Sequence, residues 1–281
     1  MTGLAVTQPG MYSMPEADYH ADPVPGGSLS CSGAKLLLPP GHPARFDWVR
    51  KHPEDGPRSR AMEFGTAAHR EVLGTGWAYA VSPHGDDWRS RKAQDWAAGK
   101  RAEGVTPLLP AEREQIVAMA AAITTNPDAR LMLQADEVWH EQSLFWVDDD
   151  TGIWRRARLD AVKLYGRVLI IDYKSAKSAD PEQFAKDVGN YRYHWQHAWY
   201  TEAVLHVTGD MDPAFCFVVQ EKDPPYAVGI YELDLDAVLA GAERCAAACR
   251  KYADCVAAGA WPGPQPAGDR ITKISLPRWA Y

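Results

Sequence analysis

The residues with the clearest chemical potential are two aspartates and a lysine in the second half of the chain. Asp160, Asp172 and Lys174 fall in two alternating or apolar segments, residues 157–164 and 168–174. A three-residue loop containing glycine joins the segments, which is typical of a β-hairpin. If the residues flanking the loop pair, the two aspartates lie directly opposite each other, and the lysine shares their face.

This arrangement favours metal-assisted hydrolysis of a phosphodiester. Two carboxylates facing each other on a sheet repel, and the apolar run 169–171 predicts that the strand is buried. A divalent cation would offset the repulsion, and Mg²⁺ commonly takes one or two carboxylates while keeping water and substrate phosphate. Together with Lys174, such a site has a Lewis acid, an activated water and positive charge. A surface hairpin with three solvated charges is the alternative, and the buried strand disfavours it.

The hydrophobic periodicity predicts the elements that must position these residues. We expect three antiparallel strands, two further strands and at least five helices. The strands are predicted over 136–147, 154–164, 167–174, 214–220 and 228–233, and the main helices over 30–38, 60–73, 110–125, 191–207 and 236–259, with another from an Asp180 N-cap to a break near Gly189.

Composition bounds the class of protein. The 281 residues, 46% of them hydrophobic, suffice for one elaborated core, and the net charge of −7 argues against a protein that coats nucleic acid. No apolar run is long enough to span a membrane, and the start of the chain does not resemble a secretory leader, so we expect a cytoplasmic protein. Residues 1–28, rich in proline and glycine, are predicted to form a flexible arm, and residues 29–281 a single domain.

Several other residues are candidates for the site or for DNA binding. Gly65, inside the 60–73 helix, suggests that a backbone or ligand approaches closely there. Trp195 and Trp199 are predicted to be core residues rather than base-stacking platforms. Four basic residues close to the aspartates are predicted to contact phosphates flanking the scissile bond, with a solvated charged face as the alternative; they are Arg155, Arg156, Arg158 and Lys177.

In combination, the motifs resemble a family: the RecE-like exonucleases (exonuclease VIII) of phages and prophages, within the PD-(D/E)XK nuclease superfamily and related to the RecB nuclease domain. The resemblance comprises the Asp160 and Asp172-Tyr173-Lys174 core, SLSCSGAKLLL at 28–38, GTAAH ending in His69, the pair Gln196 and Tyr200, and ISLPRWA at 274–280. It implies an α/β (α+β) restriction-endonuclease-like core, a central mixed β-sheet flanked by helices.

The resemblance also implies roles for the individual residues. Asp160, Asp172 and the backbone carbonyl of Tyr173 would bind metal, with His69 as a further ligand or an orienting group. Lys174 would position the water or stabilise charge. Gln196 and Tyr200, four apart on one helix face, would orient the catalytic groups or contact DNA, although core packing is the alternative.

The implied activity is a Mg²⁺-dependent exonuclease, with Mn²⁺ as a substitute, that resects double-stranded DNA ends 5′ to 3′ in the bacterial host cell. A RecT-like single-strand annealing partner and a ring-shaped homo-oligomer come from the resemblance alone. One alternative is a RecB- or Cas4-like single-strand nuclease with an iron–sulfur cluster on four of the five cysteines, although their spacing along a helix disfavours a cluster. Another is an inert module that binds DNA ends.

Overall fold

A mixed sheet forms the core of the computed structural model, which describes residues 5–53, 59–265 and 271–278. Within these residues the main sheet has seven strands, and a separate parallel pair forms a second sheet. The strands of the main sheet are β1 (Gly10–Ser13), β2 (Leu29–Ser30), β5 (Val138–Val147), β6 (Trp154–Lys163), β7 (Leu169–Ala176), β8 (Ala214–Glu221) and β9 (Val228–Tyr231); the pair is β3 (Tyr79–Val81) and β4 (Thr106–Leu108).

Helices cover both faces of the main sheet, as the family resemblance implied. They are α1 (Glu16–His20), α2 (Cys31–Leu37), α3 (Pro43–Lys51), α4 (Arg60–Leu73), α5 (Arg91–Ala102), α6 (Pro110–Thr125), α7 (Pro127–Leu133), α8 (Pro181–Tyr191), α9 (Tyr193–Thr208) and α10 (Leu235–Ala258). One face of the sheet packs against α2, α8, α9 and α10, and the other packs against α4, α6 and α7. The expected mixed α/β architecture is therefore confirmed.

The order of the strands leaves an opening in the sheet. The order is β1-β5-β6-β7-β8-β9, with β7 and β8 parallel and the other neighbours antiparallel. Opposite β5, the edge of β6 pairs with β7 only at residues 161–163 and with β2 only at residues 155–156. Residues 157–160 of β6 thus have no strand partner on that edge, and the sheet is open beside Asp160.

Local capping explains where the helices begin and end. Ser59 caps α4 by accepting the backbone N–H of Met62, and Gly74 ends the helix in the left-handed conformation. Asp180 caps α8, with proline at the first helical position, as predicted. The expected break near Gly189 lies instead at Arg192, whose φ of 57° separates α8 from α9.

The prediction of a flexible arm over residues 1–28 is wrong for the described part of that segment. Strand β1 extends the sheet by pairing with β5, and four N-terminal side chains form a small core against Phe145; they are Val6, Met14, Tyr19 and Val24. Burial of these apolar side chains offsets the loss of conformational entropy when the segment becomes ordered. The prolines and glycines of the segment hide this burial from the sequence, because they interrupt any periodic apolar pattern. Residues 1–4 lie outside the described residues.

The end of the chain is exposed where it is described. Ile274, in the ISLPRWA motif, is 93% exposed, and the last residues of that motif, 279 and 280, lie outside the described residues. Of the helices that the structure describes, none combines the length and the apolar character needed to cross a bilayer.

Candidate metal and active site

The β6–β7 hairpin has the register that places the two aspartates opposite each other. Ala161 pairs with Ile171, and Val162 with Ile170, so the next position sets Asp160 across from Asp172. At that position the strands separate, and the Asp160 carboxylate accepts the backbone N–H of Tyr173 at 3.0 Å. The side chain of Asp160 therefore bridges to β7 where the backbone ladder has ended.

Asp172 is buried and held from two sides. Its side chain is 1% exposed, Lys174 Nζ forms an ion pair with Oδ2, and Gln196 Nε2 on α9 donates a hydrogen bond to Oδ1. The predicted contribution of Gln196 to orienting a catalytic group thus matches its contact with Asp172. Because Lys174 and Gln196 come from β7 and α9, the position of Asp172 depends on the packing of that helix against the sheet.

Asp160 has a different partner, which belongs to a helix packed on the other face of the sheet and reaches Asp160 where the sheet is open. His69 on α4 places Nε2 3.2 Å from Asp160 Oδ1 and Nδ1 3.3 Å from Glu141 Oε1. Glu141, on β5, also forms an ion pair with Arg158. The imidazole of His69 therefore lies between two carboxylates, and GTAAH reaches the site as the resemblance implied.

The charges in the site change one another's protonation. Burial raises the pKa of Asp172 to about 6, with the charge of Asp160 adding to the rise against the opposing effect of Lys174. Burial would also raise the pKa of Asp160, but the charge of His69 holds it below its usual value. The carboxylates outweigh the effect of burial on His69 and raise its pKa to about 9.

The sequence predicted that a bound dication offsets the repulsion between the two facing carboxylates, and this prediction is wrong in one respect. The protein supplies two cations of its own. Lys174 neutralises Asp172, and its pKa is raised by that carboxylate against the effect of burial; a protonated His69 neutralises Asp160. The hairpin is therefore electrostatically tolerable without a metal, and a metal must compete with these cations.

The donor set nevertheless fits a hard divalent metal. Asp172 Oδ2 is a buried oxygen that contacts Lys174 but accepts no hydrogen bond of good geometry. Two carboxylates and an imidazole are suitable ligands once His69 gives up its proton. Among the described residues, no group of three or more His, Cys, Asp or Glu side chains has the geometry of a preformed site. Ligation by the Tyr173 carbonyl stays a prediction.

Tyr200 lies near the carboxylates without bonding to them. Burial raises its pKa well above the usual value, and the charges of Tyr19, Asp172 and Asp160 add to that rise. Its ring packs against Phe215.

Trp195 and Trp199 are 4% and 0% exposed, so their prediction as core residues is confirmed.

The structure contradicts the prediction that Arg155 contacts DNA. The side chain is 1% exposed, forms ion pairs with Asp148 and Glu202, and lies over the rings of Trp146 and Trp199. The reason is strand alternation: Arg155 points into the core on the α9 face, where only internal partners are available. It is a structural residue.

Arg156 and Arg158 are also occupied by internal partners. Arg156 forms an ion pair with Asp22 and donates hydrogen bonds to Ser28, while Arg158 binds Glu141, Ser143 and the carbonyl of Met14. Their side chains are 12% and 11% exposed. The ordered N-terminal segment covers them, so the prediction of phosphate contacts is wrong for both in this conformation.

Lys177 and Lys35 have fewer internal partners than these arginines. Lys177 is exposed, follows β7 and forms no ion pair with a described residue, which is compatible with its predicted contact with phosphate. Lys35 was not selected from the sequence. Its ammonium donates to the carbonyl of Tyr191 and lies 5.8 Å from the ring of Tyr193, over which Lys174 also lies, at 4.8 Å.

Glu141 is the other residue that sequence reasoning missed. Counting the β5–β6 register places Glu141 opposite Asp160, between the pairs His140 with Ala161 and Gln142 with Leu159. That register could have indicated it, but the long turn between the strands does not fix the pairing by itself.

Gly65 does not show the close approach that the sequence suggested. A Cβ there would meet Ser175 Oγ at an ordinary 3.6 Å, so packing does not require glycine.

The cysteines are free thiols. All five are buried, and Cys245 Sγ, on α10, lies 3.4 Å from the carbonyl oxygen of Trp195. Burial raises the pKa of Cys245 well above its usual value, and it raises that of Cys249 to about 12, so both thiols stay protonated at neutral pH.

Comparison with known proteins identifies the family of this chain. A family model described as "PDDEXK-like domain of unknown function (DUF3799)" matches residues 43–269, which is most of the chain. The chain belongs to this PDDEXK-like family. Its core is thus a nuclease domain of the PD-(D/E)XK kind, and the sequence Asp172-Tyr173-Lys174 has the order of acid, variable residue and lysine in the (D/E)XK part of that name.

One solved structure supports the fold assignment. The PDDEXK-like chain is similar to a "Putative exonuclease" from Eubacterium rectale, with a TM-score of 0.61, 10% identity, and coverage of 95% of this chain and 97% of that one. A second structure, SSO0001, has a TM-score of 0.26 and 11% identity over 72% of this chain and 82% of that one. No curated protein matches the chain. At 10% identity, the similarity to the Eubacterium rectale structure concerns the fold alone.

Proposed function

We propose that this chain is a Mg²⁺-dependent exonuclease that resects the ends of linear double-stranded DNA, 5′ to 3′, with Mn²⁺ as a substitute metal. The observation that carries the proposal is the convergence of Asp160, Asp172 and Lys174 at an opening in the sheet, with His69 reaching the same place from α4. The proposed setting is the cytoplasm of a bacterial host cell. A RecT-like annealing protein would take up the single-stranded product, and a ring-shaped homo-oligomer would enclose the duplex.

The residues of the site would have separate roles in metal binding and in orientation of the metal ligands. Asp160 and Asp172, with His69 and the Tyr173 carbonyl, would hold the metal. When bound, the metal would polarise the phosphoryl oxygen and lower the pKa of a coordinated water. Gln196 fixes the Asp172 carboxylate through its hydrogen bond to Oδ1, so that the carboxylate does not have to be oriented during each turnover.

Lys174 has the role of a fixed cation. Burial alone would lower its pKa, but Asp172 raises it, so the ammonium is protonated in the metal-free protein. A protonated ammonium beside the scissile phosphate can donate to the attacking water or to a phosphoryl oxygen, and it stabilises the negative charge that develops there. Lys177 and Lys35 would hold neighbouring phosphates.

A digestion series tests the proposed function. Linear duplexes with blunt, 5′-overhanging and 3′-overhanging ends, a circular duplex and a single strand are incubated with Mg²⁺, each linear substrate labelled separately at its two termini. We expect stepwise release of nucleotides from the 5′-terminated strand of linear duplex and none from the circle. Preference for the single strand would favour the RecB- or Cas4-like alternative, and tight end binding without cleavage would favour an inert module.

A further inference from the structure

Glu141 is a buried carboxylate that contacts the His69 ring on the side away from Asp160. Its side chain is 10% exposed, and its Oε1 lies 3.3 Å from His69 Nδ1. The other ring nitrogen, Nε2, lies 3.2 Å from Asp160 Oδ1. The two nitrogens of His69 therefore have distinct partners, one within the proposed metal site and one behind it.

The backbone of Glu141 is in a conformation that few side chains adopt. Its φ is +54°, in the left-handed region, although the residue lies in the middle of strand β5. The neighbouring residues His140 and Gln142 keep their pairing with β6 on either side. Strained residues of this kind persist where the surroundings enforce them, and they cluster at functional sites.

Arg158 fixes the second oxygen of the same carboxylate. Its guanidinium pairs with Glu141 Oε2 and is itself held by Ser143 Oγ at 2.7 Å and by the carbonyl of Met14 at 3.1 Å. With Oε2 occupied by Arg158, only Oε1 faces His69. The carboxylate is thus preset to accept a hydrogen bond from Nδ1.

We propose that Glu141 is a positioning residue for the metal site: it accepts the Nδ1–H hydrogen bond of His69, so that the lone pair of Nε2 is directed at the metal held by Asp160. Histidine ligands generally donate their other ring N–H to a carboxylate or carbonyl, which fixes the tautomer and the ring orientation. The inference rests on the proposed function, because it presumes that a metal binds at Asp160 and Asp172.

Calorimetric titration of the full chain with Mn²⁺ tests this role in a double-mutant cycle. The four proteins are the wild type, Glu141→Ala, His69→Ala and the double variant. We expect Glu141→Ala to weaken Mn²⁺ binding about 10- to 100-fold, as loss of such a partner does. In the His69→Ala background the same substitution should add little, because its effect acts through the ring.

A matched control is Asp148→Ala, which also removes a buried carboxylate paired with an arginine, here Arg155, outside the site. Its Mn²⁺ affinity should equal that of the wild type. Unchanged affinity in Glu141→Ala would overturn the inference. An undiminished loss in the His69→Ala background would also overturn it, since Glu141 would then be a ligand in its own right.

Nitrogen-15 NMR of histidine-labelled wild type, loaded with Mg²⁺, gives a readout that does not depend on how well the variants fold. We expect His69 to carry its proton on Nδ1; a proton on Nε2 would contradict the inference. The proposed function has a separate check. If the wild type binds no Mn²⁺, or if Asp172→Asn binds it equally well, the metal site itself is wrong. If Glu141→Ala alone leaves the Mn²⁺ affinity unchanged, the metal site is retained and only the role of Glu141 is wrong.

Discussion

The two ends of strand β6 carry charged residues of similar promise in the sequence, and the structure uses them differently. At the start, Arg155 is enclosed by two tryptophans and two carboxylates, and Arg156 and Arg158 bind the N-terminal segment and Glu141. At the end, Asp160 lies at the opening of the sheet, beside His69 and across from Asp172. The charges of the three arginines are neutralised by partners within the protein, whereas a metal ion could replace the partner of Asp160.

The difference teaches that a charged side chain is available for function only if its partners can be displaced. Of the two carboxylates that bind Arg155, Asp148 is buried and also accepts hydrogen bonds from the backbone N–H and hydroxyl of Thr151 in the turn, which fix its position. Removal of Arg155 or of Asp148 would leave the charge of the other residue buried in a low-dielectric interior. At the site, Lys174 and His69 hold the carboxylates in a way that a divalent cation could replace.

Replacing a charge at the site should have the largest effect. Asp172→Asn and Lys174→Met should each lower the rate of DNA cleavage by at least about 10²- to 10³-fold, because each removes a group that stabilises charge at the reacting phosphate. The measurement is single-turnover cleavage of an end-labelled duplex, with circular dichroism to confirm folding. Full activity in Lys174→Met would contradict its proposed role.

Arg155→Met should cost stability rather than chemistry. It leaves Asp148 buried without its cation, so we expect about 3–5 kcal/mol of destabilisation in urea unfolding. Cleavage per folded molecule should be unchanged. Arg167→Met is the control, since its ion pair with Asp212 is exposed and should contribute no more than about 1 kcal/mol. A lower cleavage rate per folded molecule in Arg155→Met would contradict the purely structural role of Arg155.

The site should make the stability of metal-free protein depend on pH. The folded pKa of His69 is raised to about 9 from an unfolded value near 6.5. Its contribution is therefore fully present below pH 6.5 and is lost as the pH rises through 9. With EDTA present, the difference in unfolding free energy between wild type and His69→Gln should be on the order of 3 kcal/mol at pH 6.5 and shrink towards pH 10. A difference independent of pH would contradict the pairing with Asp160 and Glu141.

Lys177→Ala should have the smallest effect. Loss of one phosphate contact should weaken DNA binding a few-fold and lower the slope of log affinity against log salt by about 1. Lys51→Ala is matched to it, because Lys51 is exposed but already paired with Asp47. Equal effects of the two substitutions would show that Lys177 has no special position.

Patterns with a fixed local geometry were predictable from the sequence. The three-residue loop set the β6–β7 register correctly, the Asp180-Pro181 pair marked the start of α8, and the alternating segments indicated the strands β5 to β7. These features depend on neighbours in sequence. The pairing of Asp160 with Asp172 followed from the same counting, and the motif resemblance brought in His69 and Gln196.

The features that the sequence did not predict depend on distant contacts. Proline and glycine near the N-terminus indicated an arm, but Val6 and Tyr19 are buried by packing on Phe145. Arg155 resembled its neighbours in type, and only the tertiary position of Trp199 and Glu202 decides that it is a core residue. Glu141 required the β5–β6 register across a longer turn.

The central claim is that Asp160 and Asp172 share one divalent metal. Anomalous diffraction from a crystal soaked in Mn²⁺ tests it directly, in wild type and in Asp172→Asn. The account predicts an anomalous peak in contact with both carboxylates in the wild type, with the Lys174 ammonium displaced from Asp172 Oδ2, and a lost or weakened peak in the variant. A wild-type map without a peak at these side chains, or with a peak bound by only one of them, would contradict it.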